Sequence, residues 1–523
     1  MKKILVLVTF VTMLYGRAFL AESFQLSGND DDLYPGIGSN GISDIWVMND
    51  STILLASGAG LSISRNSGES FYTYYSTTAG MAYGGISAIT TLGNHIWIAS
   101  AFDSAGVEEV SGTGGGISHS PDGGLSWRHF RQPMDHPDSN FVIVNGDTVR
   151  ALPIVVPIDN ITYDLAVTVN SQGDTILYAA SFAGGARRST DLGKTWKRVI
   201  LPPDNQDVLN TNSIGNFDYS PVDRPDLNLR GNYNHESFSV VAKGDFVAIG
   251  TAAGINVSYD DGKTWRKYNA NNSGITGNFV VALHLDSFGN LLAGTLPALG
   301  ANEYRSLAYS YIDSMGVLYW RSALENVRVY NVSSWRNNWL VSSSTGAWLS
   351  GDGWSWIKLG YPVDKVSGER LYSNEIYALQ VDSAAFLWAG TGDGLAKTDD
   401  WGLSWELIRR VSGFADRSKA VISAYPNPFS PSRMNLFEGD GYLRFLCQLP
   451  EAGRVSIDVF DFAMKKVRSI ASGHNVSQGY HTYVWNGRNG LYDIVANGTY
   501  FVRLQFEGGA NNATAWTKII ILE

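Results

Sequence analysis

The sequence has only one cysteine, Cys447, among its 523 residues. A single thiol excludes the intrachain disulfide framework on which many small exported proteins depend. Cys447 stands within the alternating run LRFLCQL at residues 443–449. We therefore expect it to be a small buried residue of a β-strand.

Positive charge is scarce as well. Lys and Arg number 39 against 49 Asp and Glu, which gives a formal net charge of -10, and charged residues make up only 17% of the chain. A protein that binds a phosphate backbone needs a basic surface to displace counterions. We therefore expect no nucleic-acid partner.

A long apolar run occurs only at the N-terminus, where Lys2 and Lys3 precede a stretch from Ile4 to about Gly16. Small residues follow, a pattern typical of a secretory signal peptide, which we predict over residues 1–21. The alternative, a membrane anchor, needs about 20 apolar residues, and Arg17 interrupts the run too early. We expect an exported protein, secreted or on a bacterial cell surface, with no transmembrane segment after signal cleavage.

The sequence also lacks the common catalytic and metal-binding motifs. It contains no HExxH, nucleophile elbow, P-loop or paired CxxC, which would indicate a metalloprotease, a hydrolase, a nucleotide-binding protein or a zinc site. We predict no cofactor, no metal site and no catalytic residue.

What the chain has in quantity is Gly, Tyr and Trp, with 56, 26 and 16 residues respectively. Short runs of Val, Ile, Leu and Trp alternate with clusters of Gly, Asn, Asp and Ser. This composition is typical of an all-β protein with many turns.

One turn sequence recurs along the chain. SPDGGLSW (residues 120–127) is repeated as STDLGKTW (189–196), SYDDGKTW (258–265) and TDDWGLSW (398–405), with degenerate copies SRNSGESF (64–71) and SGDGWSW (350–356). Each copy follows alternating strands and precedes a further short strand, so the repeat is a four-stranded antiparallel unit. About seven such units predict a seven-bladed β-propeller over residues 38–410, after an N-terminal segment at residues 22–37.

The pattern S-x-D-x-G-x-[ST]-W resembles the Asp-box, or BNR repeat, of sialidase-like secreted propellers. In such a turn the carboxylate can accept backbone N–H groups, the glycine supplies a positive φ, and the tryptophan can pack between sheets. A catalytic centre needs one constellation rather than several equivalent ones. We therefore predict a structural role for the aspartates of these boxes: Asp122, Asp191, Asp260, Asp352 and Asp400.

A second domain follows the repeats. A polar linker at residues 411–423 leads into six or seven short alternating strands, which predict an immunoglobulin-like β-sandwich over residues 424–523. The phrases YPNPF (425–429), GYHTYVWNGR (479–488) and NGTYFVRL (497–504) resemble the C-terminal sorting domains of type IX secretion cargo and the related domain of flagellar hook-capping proteins. This resemblance implies bacterial outer-membrane secretion machinery as a partner.

Five insertions lengthen the propeller region at about residues 101–114, 131–160, 201–236, 296–306 and 358–374. By strand order all five emerge at the end of the sheets away from the Asp-boxes, and long loops on a rigid scaffold commonly bind ligands. Their polar and aromatic side chains are candidates for contacts with a glycan or a protein. The ligand-binding candidates are Asp103, Glu108, Asp218, Tyr219, Arg224, Arg230, His235, Tyr304, Arg305 and Arg370.

The leading hypothesis is an exported, non-catalytic propeller that binds an extracellular glycan or protein ligand on this loop face. The alternative is a glycoside hydrolase with two loop carboxylates. A sialidase is disfavoured, because the resemblance implies a substrate-binding arginine on the first blade and no arginine lies between Ala18 and Ser64.

Overall fold

The protein is known from a computed structural model. It describes these residues: 34–75, 78, 80–105, 110–211, 216–298, 300, 302–312, 318–410 and 418–523. The predicted signal peptide and candidate Glu108 lie outside them. Within the described ranges the helical segments are two short 3-10 turns, Pro225–Leu227 and Tyr233–His235. No helix in this part of the chain has the length and apolar character needed to cross a bilayer.

The chain forms two compact units. One comprises the described residues up to Glu369 together with Ile376–Ile408, and the other comprises Arg370–Glu375 with the chain from Arg409 to Glu523. The segment Arg370–Glu375, expected in a propeller loop, thus belongs to the second unit.

The described residues of the first unit form seven antiparallel sheets of four or five strands, which we number 1 to 7 in chain order. Sheet 1 has five strands: β1 (Tyr34–Pro35), β2 (Ile42–Val47), β3 (Ile53–Ser57), β4 (Gly60–Ser64) and β5 (Tyr72–Tyr75). Sheet 2 has four: β6 (Gly85–Leu92), β7 (His95–Ala105), β8 (Val110–Ser120) and β9 (Arg128–Phe130). A separate hairpin of β10 (Phe141–Val144) and β11 (Asp147–Arg150) follows. Strand β1 lies in the predicted N-terminal segment and pairs with β5.

The next two sheets hold the motifs STDLGKTW and SYDDGKTW. Sheet 3 contains β12 (Thr162–Val169), β13 (Thr175–Ser181), β14 (Gly185–Ser189) and β15 (Lys197–Arg198). Sheet 4 contains β16 (Val208–Leu209), β17 (Ser237–Lys243), β18 (Phe246–Thr251), β19 (Gly254–Ser258) and β20 (Trp265–Tyr268). Strand β16 belongs to the 201–236 insertion and pairs with β20, so part of this insertion extends a sheet.

Three further four-stranded sheets complete the unit. Sheet 5 contains β21 (Phe279–Leu285), β22 (Leu291–Leu296), β23 (Ser306–Ile312) and β24 (Leu318–Ala323). Sheet 6 contains β25 (Val329–Trp335), β26 (Asn338–Ser343), β27 (Gly346–Ser350) and β28 (Ile357–Lys358). Sheet 7 contains β29 (Ile376–Val381), β30 (Leu387–Thr391), β31 (Leu395–Thr398) and β32 (Glu406–Ile408).

The sheets close into a ring. The first strand of each four-strand meander contacts its counterpart in the next sheet, in the order β2, β6, β12, β17, β21, β25 and β29, and β29 contacts β2. A ring of antiparallel sheets around a central axis is the architecture of a β-propeller, in which closure protects the sheet edges.

Strand order defines two ends of this ring. The turns between third and fourth strands, where the repeated motif lies, form what we call the box end. The first strands begin at the opposite end, which we call the insertion end. Each first strand carries a register shift close to its start, as at Ile42/Asp44, Thr162/Asp164 and Ile376/Ala378. A bulge bends and twists a strand locally, so the seven strands share one distortion at the insertion end.

The second unit has two sheets around one core. One sheet contains β33 (Val421–Tyr425), β36 (Leu443–Leu449) and β39 (Gly479–Trp485), and the other contains β37 (Gly453–Phe460), β38 (Lys466–Val476), β40 (Gly498–Gly508) and β41 (Asn512–Ile521). Two short strands, β34 (Leu436–Phe437) and β35 (Asp440–Gly441), form a small hairpin. Cys447 is fully buried on β36, as its alternating run predicts, and burial raises the pKa of its thiol to about 12.

Candidate functional site

The aspartate of each repeated turn is enclosed by hydrogen bonds from its own turn. Asp122 accepts hydrogen bonds from the Ser120 hydroxyl (2.8 Å), the Ser126 N–H (2.8 Å) and the Ser126 hydroxyl (2.6 Å). The Ser120 hydroxyl in turn accepts the Gly124 N–H at 2.7 Å. The turns at Asp191, Asp260 and Asp400 repeat this pattern, and Asn66 accepts the equivalent bonds in the first sheet. These oxygens are therefore occupied within the turn.

These hydrogen bonds favour the ionised carboxylate. The side-chain and backbone hydrogen bonds of Ser126, followed by that of Ser120, lower the pKa of Asp122 to about 2. The pKa of Asp400 is also lowered, chiefly by the hydroxyls of Ser404 and Thr398. At Asp191 burial opposes ionisation, but the bonds from Thr195 outweigh it and the pKa is lowered. A general acid needs a raised pKa, so these carboxylates are unsuited to that role.

The repeated turns also contact the neighbouring sheet. Trp97 of β7 donates its indole N–H to the carbonyl of Leu192, in the turn of sheet 3, at 3.2 Å. Tyr178 of β13 donates to Asp261, in the turn of sheet 4, at 3.1 Å. Each of these turns therefore fastens its own sheet to the preceding one.

The candidates at the insertion end do not converge on one opening. Tyr219 and His235, expected to face a ligand, are fully buried, with their rings 4.6 Å apart. The His235 ring accepts the Ser220 N–H and donates to the Leu201 carbonyl, and burial lowers its pKa to about 4. The neutral imidazole thus joins two backbone groups of the insertion itself, and Tyr219 belongs to a buried apolar cluster that includes Tyr178 of β13.

Charged candidates in the same insertion are paired locally. Asp218 forms an ion pair with Arg150, which also donates to the Asn228 carbonyl. Arg224 pairs with Asp226 two residues later, at 2.7 Å and in solvent. Arg230 is exposed.

The remaining candidates are dispersed among other elements. Asp103 is exposed on β7 opposite Gly112 of β8. The Tyr304 hydroxyl donates to Glu325 at 3.4 Å, and the neighbouring Arg305 side chain is exposed. Arg370 belongs to the second unit, where its guanidinium lies 5.1 Å from the ring centre of Phe437 and its carbonyl accepts from Arg444.

Buried polar groups fix both large insertions to the sheets. Asp135 accepts hydrogen bonds from Arg187 (2.8 and 3.1 Å) and Arg198 (3.1 Å), and all three side chains are almost fully buried. Burial opposes ionisation of Asp135, but the two guanidiniums outweigh it and lower its pKa. Lys267 is buried beneath the other insertion and donates to the carbonyls of Pro203 and Asp204. Buried polar contacts thus join the described parts of both insertions to the sheets.

Glu236 is a buried carboxyl at the end of the 201–236 insertion. Burial first, and then the charges of Asp204 and Asp223, raise its pKa well above the ordinary value. Within the described residues its Oε2 atom has no hydrogen-bond partner. Asp204 uses its own carboxylate to accept the N–H groups of Tyr233 and Asn234. Since Glu236 is enclosed by the insertion, it cannot reach a substrate in this conformation.

The 131–160 insertion presents apolar side chains to solvent. Phe141 and Ile143 point outward from β10 and are 63% and 75% exposed, whereas Val144 of the same strand is buried. Three further exposed residues, Val155, Val156 and Ile158, follow shortly along the chain. We call these five side chains the apolar rim. Exposed apolar side chains concentrated in one segment indicate an interaction site.

Hairpin β10–β11 does not stay at the insertion end. Its turn residue Asn145 donates to the carbonyl of Lys263, in the repeated turn of sheet 4, at 3.2 Å. This insertion therefore begins at the insertion end and also contacts the box end. The sequence did contain a signal for the hairpin, because Asn145–Gly146 stands between alternating apolar residues and both have positive φ, as a type I′ turn requires.

Within the described ranges no three His, Cys, Asp or Glu side chains are grouped so that they could hold a metal ion.

No family model matches the sequence, and no curated protein matches it. Among solved structures the fold is similar to YCF48 bound to a D1 peptide, with 16% identity, 74% of this chain and 99% of that chain covered, and a TM-score of 0.41. It is also similar to PorZ, a surface component of the type IX secretion system of Porphyromonas gingivalis, with 12% identity, 92% and 75% coverage, and a TM-score of 0.27. The extracellular domain of the putative hybrid two-component system BT4673 from B. thetaiotaomicron gives 12% identity, 92% and 68% coverage, and a TM-score of 0.27. At these identities the similarity concerns architecture and transfers no binding residue to this chain.

Proposed function

We propose that this chain is an exported, non-catalytic binding protein whose ligand is another extracellular protein, held at the apolar rim. Each of the seven sheets is one propeller blade, and the aspartates of the repeated turns are structural. The two-sheet second unit is an immunoglobulin-like domain that addresses the chain to bacterial outer-membrane secretion machinery. The signal-like N-terminus and the sorting-domain phrases support export to the medium or the cell surface.

The main support for the proposal comes from the edge and the exposed side chains of strand β10. In the described part of the chain it pairs only with β11, so its other edge has unpaired backbone groups. Its outward residues, Phe141 and Ile143, are apolar and exposed. An extended segment of a partner can add to such an edge, with main-chain hydrogen bonds supplying affinity and side-chain contacts supplying specificity. A protein ligand therefore fits this surface better than a glycan does.

The glycoside hydrolase alternative has less support. It requires two accessible carboxylates roughly 5 to 10 Å apart, one of which keeps a proton. Asp218 is held by Arg150, and Glu236, whose pKa is raised, is buried. Turnover of a polysaccharide or a chromogenic glycoside by the purified protein would establish this alternative.

Paired substitutions on β10 test the binding proposal. The double variant F141T/I143T keeps β-branched residues on the strand while removing the apolar surface. We expect partner capture to weaken at least tenfold, with an unchanged melting temperature. Phe288, an exposed aromatic residue in the β21–β22 turn, provides the matched control F288T. Deleting the 201–236 insertion is a poor test, because it would remove strand β16 from sheet 4 and uncover the buried Lys267.

Hydrogen exchange locates the contact. Bound partner should slow amide exchange in residues 141–144 of the wild-type protein and not in the double variant. Equal capture by F141T/I143T and wild type, or protection confined to other strands, would refute the assignment.

A further inference from the structure

A cluster of aromatic side chains surrounds one arginine at the box end, between sheets 5 and 6. Tyr311 and Tyr319 lie on the β23–β24 hairpin with Arg321, and Trp354 lies in the degenerate turn SGDGWSW of sheet 6. We call these four side chains the Arg321 platform. No ligand-binding candidate identified from the sequence belongs to it, and it is separate from the apolar rim.

Strand register brings the platform together. Tyr311 pairs with Tyr319 across the hairpin, and Tyr309 pairs with Arg321 two residues along. Residues two apart on a strand share one face of the sheet. The side chains of Tyr309, Tyr311, Tyr319 and Arg321 therefore lie on the same face of the hairpin. Trp354 contacts this face from the neighbouring sheet.

The geometry presents flat surfaces around a fixed cation. The Arg321 guanidinium lies 4.3 Å from the ring centre of Tyr311 and 4.2 Å from that of Trp354. Tyr311 and Tyr319 stack with ring centres 5.5 Å apart and planes 20° apart. Trp354 is 68% exposed and Tyr319 is 41% exposed. Among the described residues the close neighbours of Arg321 are thus ring faces and the hydroxyl of Tyr309, which hold a guanidinium without neutralising it.

Trp354 is not required by the turn in which it stands. The other turns place Glu69, Leu125, Lys194, Lys263 or Leu403 at this position. The tryptophan that closes the turn of sheet 6 is Trp356, whose indole N–H donates to the Gly353 carbonyl at 3.1 Å. The exposed indole of Trp354 is therefore additional to the fastening function of the turn.

A similar pair lies at the same end on the next two sheets. Arg336 stands 4.1 Å from the ring centre of Trp335, and that ring is 5.3 Å from Trp401 in the repeated turn of sheet 7. The box end thus carries a second Arg–Trp cluster on the neighbouring sheets.

The aromatic rings and the guanidinium of the platform indicate which chemical groups its ligand carries. The C–H face of a pyranose ring packs on an indole or phenol ring, and a guanidinium binds a carboxylate through two parallel hydrogen bonds. A uronic acid offers both groups in one residue. Single-stranded nucleic acid also stacks on aromatic rings, but proteins that bind it add a positively charged groove that follows the phosphate backbone, and this chain has more acidic than basic residues.

We propose that the Arg321 platform binds an acidic polysaccharide, with Trp354 and Tyr319 stacking on sugar rings and Arg321 binding a uronate carboxylate. This site goes beyond the protein-binding function assigned to the apolar rim. The apolar rim and the Arg321 platform bind different ligands through different residues. Experiments can therefore refute one proposal without refuting the other.

Titration calorimetry with oligogalacturonate, on the full chain, tests the site. W354A and R321Q should each weaken binding at least tenfold, and R321K should be intermediate because it keeps the charge and loses the planar fork. Two matched controls should bind as wild type does. L125A changes the same turn position in another sheet, and R128Q removes an exposed arginine that stands 5.1 Å from Phe130.

Further binding measurements change the probe or the salt concentration rather than the protein. Carboxyl-reduced oligogalacturonate should bind at least tenfold more weakly than the acid, and affinity for the acid should fall with added salt. Equal affinity for the neutral polymer, or unchanged binding in both W354A and R321Q, would overturn the proposal. Preferential binding of an oligothymidylate would also overturn it and reassign the platform to single-stranded nucleic acid. Since Trp354 is mostly exposed, W354A should fold normally, and an unchanged melting temperature checks this.

Discussion

At the scale of the residue, Asp122 illustrates how one carboxylate organises a turn. Both of its oxygens accept hydrogen bonds from Ser126, and one also accepts from Ser120. The ionised form makes these bonds best. Protonation therefore removes part of what holds the turn, and the same applies to the equivalent aspartates in other sheets.

The first prediction concerns acid stability. The pKa of Asp122 is about 2 in the folded protein, against an ordinary value of 3.8. A lowered pKa stabilises the fold fully above the ordinary value, and that contribution is lost as the pH falls from about 4 to about 2. We expect the melting temperature to drop across this window. Differential scanning calorimetry should show a smaller drop for D122N than for wild type.

Buried histidines act in a separate window. Burial lowers the pKa values of His119, His235 and His284 to about 4. Between these two pKa values the unfolded chain binds protons more readily than the folded protein does. The contribution of the neutral histidines to the free energy of unfolding is therefore lost as the pH falls from about 6.5 to about 4. The D122N comparison is therefore made below pH 4, and equal slopes of D122N and wild type there would contradict the first prediction.

At the scale of the element, the 131–160 insertion forms one hairpin, β10–β11, and a buried ion-pair cluster holds the chain beside it against sheet 3. Asp135 accepts hydrogen bonds from Arg187 and Arg198 of sheet 3, its carboxylate also accepts the Ile154 N–H, and its own N–H donates to the Ile154 carbonyl. Removing one member of such a cluster leaves an uncompensated buried charge. Asp135 therefore helps to position the apolar rim, together with the hydrogen bonds of Asn145 and Leu152.

The second prediction compares two aspartates in insertions. D135A should lower the free energy of unfolding by about 3–5 kcal/mol, because two guanidiniums remain buried without their acceptor. D226A removes the exposed partner of Arg224 and should leave stability unchanged. Urea unfolding of both variants measures the difference. Similar losses in the two variants would show that burial of the Asp135 cluster is not what fixes the insertion.

The elements were more predictable than the site. Alternating strands and the repeated turn suffice to place the sheets, because strand period and turn chemistry are local properties. Tyr219 and His235 were expected to bind a ligand, but their burial depends on Leu201 and Ser220, whose proximity follows from the tertiary fold. The Arg321 platform was not predicted for the same reason, because it depends on a contact between Arg321 of sheet 5 and Trp354 of sheet 6.

At the scale of the whole molecule, the ring is closed by packing between sheets 7 and 1. Trp388 of β30 is fully buried and meets Phe71 edge to face at 6.3 Å. Gly68, with φ +81°, lies beneath the indole, and a Cβ there would come within 2.1 Å of the ring. Sheet 7 thus packs against sheet 1 through Trp388, whose indole leaves room only for a glycine at position 68.

The third prediction concerns this closure. W388A should lower the free energy of unfolding by about 3–5 kcal/mol, as large cavities in packed cores do. The exposed Trp354 serves as the matched control, and W354A should change stability by less than about 0.5 kcal/mol. Chemical denaturation followed by tryptophan fluorescence distinguishes the two. Near-wild-type stability of W388A would mean that closure rests on other contacts.

Closure through Trp388 and Gly68 also determines how the molecule can come apart. A linear repeat array has terminal repeats that fray and that need a polar cap, because each repeat contacts only its neighbours. In the ring formed by β2 to β29 every sheet has two neighbours. Breaking any one interface turns the ring into an array with two uncapped ends, so damage at a single seam should spread to all of the sheets.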